Sequence, residues 1–171
     1  EQLNKKFKHS IEQILGISVI VTLCEPDSLP RSEGKAKSNG NYPFPIISVV
    51  TDDKHINSSE MGVFQRGPNG RPGNGQGSNC NWNMEWDRPV SFEYITTDNE
   101  CIVSKECDLS TCGGWSRAWE PHSFKLKATK TYDFKNFFEA QLFEEKPFIK
   151  SKTLQIRNGG NDNWSRIKDA G

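Results

Sequence analysis

The sequence predicts a mostly β protein, an antiparallel β-sandwich entered through one helix and carrying long polar loops. Two observations predict it. Short runs in the second half of the chain alternate apolar with polar side chains, and clusters of Gly, Pro, Asn and Asp separate them. The clear helical spacing lies in Glu1–Gly16, with Phe134, Phe137, Phe138 and Leu142 fitting a helix stripe as well as a strand, whereas a βαβ array would need helices between successive strands.

The elements follow in order. Leu3, Phe7, Ile11, Ile14 and Leu15 form a 3.6-residue stripe, with lysines mostly off it and Gly16 as a stop, so residues 1–16 read as an amphipathic helix. Ile17, Val19, Ile20, Val21 and Leu23 then make a β-branched run, apolar on both faces. Cys24 to Pro43 reads as a polar loop. Ile46–Val50 is a second strand, ended by turn chemistry at Thr51-Asp52-Asp53. Residues 67–79, built largely of Gly, Pro and Asn, have nothing to bury and predict a mobile loop. That loop lacks the Lys-Ser/Thr of a phosphate loop. Trp82, Met84 and Trp86 alternate with Asn83, Glu85 and Asp87, a strand period. Val90–Ile95 alternates likewise, and Cys101–Cys112 reads as a stapled excursion between strands. Trp115, Arg117 and Trp119 repeat the aromatic alternation. Phe124–Thr129, Phe137–Phe143 and Lys152–Arg157 complete the strands, and residues 158–171 form a polar tail. One domain over 1–171 results, of immunoglobulin- or fibronectin-like or jelly-roll-like form.

Composition narrows the function. The 22 basic and 22 acidic residues balance, which argues against a nonspecific nucleic-acid binder and points mildly to a neutral ligand. No apolar run reaches the ~20 residues of a membrane span. The five cysteines, Cys24, Cys80, Cys101, Cys107 and Cys112, fit no usual zinc spacing and read as disulfide candidates with one thiol left over. Together with the sequons at Asn57 and Asn163, they lead us to expect a secreted glycoprotein, with nucleus or cytoplasm as the alternative. Neither a metal nor a cofactor is expected.

Lys8-His9-Ser10-Ile11-Glu12-Gln13-Ile14-Leu15-Gly16 resembles the octapeptide, or engrailed-homology repression motif, of some homeodomain transcription factors. That resemblance implies a short helix docking on a Groucho-type corepressor, although His9 stands where many versions carry phenylalanine and no homeodomain follows. It would make the chain an intracellular or nuclear interaction domain. A second alternative is a small hydrolase or ribonuclease-like enzyme, pairing His55 and His122 with Glu85 or Glu120. No nucleophile elbow or zinc-protease motif supports a catalytic reading. The aromatic density says more. Trp82, Trp86, Trp115 and Trp119, with Glu85 and Arg117, are the candidate ligand-binding residues, because tryptophan offers an apolar face and one N–H donor. The expectation is a non-enzymatic recognition domain meeting a protein surface or a glycan at one end of the sandwich.

Overall fold

The computed structural model describes residues 44–73, 78–143 and 146–158. The helix at 1–16 with its docking motif at 8–16, the Ile17–Leu23 strand, Cys24, Asn163 and the tail beyond Asn158 lie outside the described residues.

Strands β1 (Ile46–Val50), β3 (Arg88–Ile95), β4 (Cys101–Thr111), β5 (Phe124–Lys127) and β8 (Thr153–Ile156) form one antiparallel sheet in the order β1-β3-β4-β5-β8. A second sheet pairs β6 (Phe138–Glu139) with β7 (Lys150–Ser151). A short helix, α1 (Asp53–Asn57), follows β1, capped by the Asp52 carboxylate on the Lys54 N–H. Strand β2 (Arg66–Arg71) lies outside both sheets and bridges to Cys80.

Register shows why the alternating runs became this sheet. Val49 stands opposite Phe92 across β1 and β3, Val90 opposite Cys107 across β3 and β4, and Leu109, Leu126 and Leu154 opposite one another across β4, β5 and β8. Residues paired across a ladder share a face, so these rows make one apolar side. The other side carries Ser48-Glu93-Ser104, Val50-Ser91-Glu106 and Asp108-Lys127-Thr153. The core forms on the first side, where Val63, Phe138 and the half-buried Ile56, Phe64, Trp86 and Leu142 pack onto Val90, Phe92, Cys107, Leu109 and Leu126. Phe138 meets Phe92 edge-on at 5.3 Å.

Three expectations change. Cys101–Cys112 is not a stapled excursion, because Cys101–Thr111 is the longest strand of the described residues. Cys80, Cys101, Cys107 and Cys112 are all free thiols. The strand explains it. Cys101 and Cys107 are six steps apart on one extended chain, and at ~3.3 Å per residue their Cα atoms stand far beyond the ~7 Å limit for a disulfide. The same arithmetic separates Cys107 from Cys112.

Second, the glycine-rich stretch does have something to pack against. Its first residues, Gly67–Arg71, belong to β2. A Cβ on Gly67 would fall 1.6 Å from the Ser59 carbonyl oxygen, and one on Gly70 would fall 2.5 Å from the Cys80 carbonyl carbon. Glycine there lets two backbones touch. Third, Trp82–Trp86 and Trp115–Trp119 are not strands. Asn81–Asn83 and Trp115–Ala118 are 3-10 turns.

Candidate functional site

The turn Asn81–Asn83 organises one end of the molecule, and its asparagines explain why it is not a strand. The Asn81 side chain donates to the Ser59 and Gly62 carbonyls, both at 3.0 Å. Asn83 Nδ2 donates to the Arg71 carbonyl at 3.0 Å, while Arg71 Nε returns a bond to the Asn83 carbonyl at 2.6 Å. Side chains that bind neighbouring backbone in this way compete with a sheet ladder. Between them the Trp82 carbonyl accepts from Thr111 Oγ1 at 2.7 Å and from Arg117 Nη1 at 3.3 Å.

The Trp82 ring is buried in a stack that crosses four segments. Arg66 lies over it, 5.4 Å from the ring centroid. On the ring's inner neighbourhood sits His122 at 4.9 Å, and His122 in turn stacks on Phe64 at 5.1 Å. Phe64 then reaches Phe124 of β5 at 6.2 Å. His122 Nδ1 is 2.7 Å from the Arg117 carbonyl. A carbonyl only accepts, so Nδ1 carries the proton. Burial holds the His122 pKa below its ordinary 6.5, against the opposing pull of that carbonyl and of Glu120.

The second turn, Trp115–Ala118, is pinned from outside. Asn158 Nδ2 donates to the Ser116 carbonyl at 3.1 Å and the Trp119 carbonyl at 3.3 Å. Arg117 Nε donates to Gly113 at 2.7 Å, and Nη2 lies 3.9 Å from Glu85 Oε1. Glu85 is exposed and holds a left-handed φ of 58°, which a non-glycine residue rarely adopts.

The six expected site residues therefore divide. Trp82, Glu85 and Arg117 meet, with Arg117 linking the two turns. Trp82 itself is interior rather than a contact surface. Trp115 is 59% exposed on the Arg117 turn, and Trp119 is half-buried at its end. Trp86 belongs elsewhere, packed on the core under the Arg88 guanidinium at 4.8 Å. The two histidines have separate partners: His122 as above, and His55 Nδ1 on Thr51 Oγ1 at 2.9 Å. Sequence reasoning missed Arg66 and Arg71, which lie in and beside the glycine-rich stretch. No local signal could have found them, since an odd spacing on a strand puts side chains on opposite faces; their shared bridging to Cys80 is what brings them to one turn.

Comparison with known proteins adds one short match. The family pattern of the AMP-binding enzyme C-terminal domain matches residues 1–38, which lie outside the described residues. That span is 38 of 171 residues, too little of the chain to assign it to that family. No curated protein and no solved structure matches the chain. Among the described residues no group of His, Cys, Asp or Glu is placed to hold a metal ion, and no helix is long and apolar enough to cross a membrane.

Proposed function

We propose that this chain is a non-enzymatic recognition domain that binds a glycan through the end of the molecule carrying the two 3-10 turns. The single observation that carries this reading is Trp115. It is 59% exposed on a turn whose backbone is fixed by Asn158 and Arg117. A flat aromatic face on a rigid support suits the apolar face of a sugar, since little freedom is lost when the ligand arrives. Arg117 and Glu85, at the same end, supply a donor and an acceptor for hydroxyl groups. The β-sandwich form belongs to the same proposal. Its support is the contact of Phe138 in the small sheet with Phe92 in the large one.

A glycan array probed with the full chain and with Trp115→Ala tests the reading. We expect a defined subset of glycans to be retained by the native chain and lost, roughly tenfold or more, by the variant. Binding that ignores Trp115, or an array with no retained glycan, overturns it. In the second case a protein surface becomes the partner to seek.

A further inference from the structure

Three guanidinium groups gather on the turn Asn81–Asn83, and almost nothing neutralises them. Arg66 covers the Trp82 ring, Arg71 Nε bonds to the Asn83 carbonyl, and Arg117 Nη1 bonds to the Trp82 carbonyl. Arg66 also bonds to Ser78 and the Cys80 thiol. Among the described residues neither Arg66 nor Arg71 has a carboxylate partner. Arg117 has one, Glu85, at 3.9 Å with its side chain 65% exposed. Lys105 and Lys127, by contrast, pair with Asp133 and Asp87, while Arg88 resembles Arg71 and Arg117 in bonding to carbonyls, but stands alone over Trp86. Carbonyl oxygens hold Arg71 and Arg117 in place, and the Trp82 ring, Ser78 and Cys80 hold Arg66; none of these partners is a carboxylate. Three cationic side chains thus touch one turn with a single carboxylate paired to them, an arrangement that favours an arriving anion.

We propose that Arg66, Arg71 and Arg117 form a binding site for the sulfate or carboxylate groups of an anionic oligosaccharide. The proposal rests on the glycan reading above and names its ligand class. Guanidinium forks match the paired oxygens of sulfate and carboxylate, and those of Arg71 keep both Nη groups unbonded among the described residues. Arg117 is already locked by Gly113 and Trp82, so binding orders little. The zero net charge of the chain does not oppose this, because net charge averages over the whole surface while a ligand meets one end of it. A nucleic acid fits less well, since a phosphate backbone needs a stripe of basic groups and this cluster surrounds a single turn.

Calorimetric titration of the full chain with three probes provides the test. They are a heparin-derived hexasaccharide, the same chain stripped of sulfate but keeping its uronates, and neutral cellohexaose. We expect the heparin probe to bind, with affinity falling as salt is raised. Arg66→Gln and Arg71→Gln should each weaken it roughly tenfold, and Glu85→Gln should strengthen it by removing the competing carboxylate. Binding kept by the desulfated probe assigns the carboxylate as the recognised group; binding lost assigns the sulfate, and either supports the proposal. Heparin binding indifferent to both arginines overturns it. Equal binding of cellohexaose overturns it while leaving the glycan reading in place, and no binding of any of the three probes overturns it while the array decides the glycan reading. Arg71→Lys keeps the charge, and with Glu85→Gln it keeps the test decisive if Arg71→Gln does not fold.

Discussion

Cys107 stands in the core face of β4 opposite Val90, and burial, helped by Asp108 and Glu106, pushes its thiol up to about 12. Burial also raises Cys112. A thiol held protonated is a poor nucleophile, so these two should resist alkylation in the native protein. Cys101 differs, being exposed at the start of the same strand. Iodoacetamide at about pH 8 should therefore modify Cys101 first and reach Cys80, Cys107 and Cys112 only after unfolding. Denaturation without reductant should therefore reveal at least the four thiols of Cys80, Cys101, Cys107 and Cys112. A count of three or one would restore a disulfide. The strand was legible in Val103, Cys107, Leu109 and Thr111, which keep a strict period of two with Lys105. Three cysteines within one run drew the eye to bridging, although cysteine packs as readily as a small apolar side chain.

At the scale of elements, the glycine-rich stretch and the turn beside it hold each other. β2 lies so close to Cys80 and Asn81 that Gly70 has no room for a methyl group. Gly70→Ala should cost about 1–3 kcal/mol, read as a lower urea midpoint with an unchanged slope. A neutral effect would show that β2 can back away from the turn. Sequence alone could not see this packing. Gly, Pro and Asn mark both loops that touch nothing and strands that touch too closely, and only the partner tells them apart. The same holds for Trp82–Trp86, where apolar alternation suited a strand. Five side-chain hydrogen bonds to backbone carbonyls, from Asn81, Asn83, Arg71 and Thr111, hold a turn there instead.

Over the whole molecule, His122 ties distant parts together. It precedes β5, stacks on Phe64 from the segment before β2, faces Trp82 and bonds to Arg117 in the second turn. Its folded pKa lies below the unfolded value near 6.5, so the unfolded chain takes up the proton first as pH falls. The stability it contributes is complete above pH 6.5 and declines from there toward its folded pKa. Urea midpoints followed by tryptophan fluorescence should therefore drop as pH falls below about 6.5, and His122→Gln should flatten that slope. Asp133, held below its usual 3.8 by the Lys105 ammonium, loses its contribution only at lower pH, so the two windows separate. A slope unchanged in the variant would remove His122 as its source.

The sequence by itself determined the β class, the strands Ile46–Val50, Val90–Ile95 and Phe124–Lys127, and the gathering of Trp82, Glu85 and Arg117 among the residues worth following. Period-two burial is a local property, and local pattern suffices to read it. The tertiary structure decided which tryptophan faces solvent, where the glycines press, why the cysteines stay apart, and that Arg66 and Arg71 converge on one turn with Arg117. Each of these depends on what lies across a gap in the chain, from the twelve-residue reach between Arg71 and Asn83 to the thirty-five between Arg117 and Trp82. No window along the sequence spans such a contact. The physical reason is that charge and close packing are settled by distance in space, while periodicity is settled by distance along the chain.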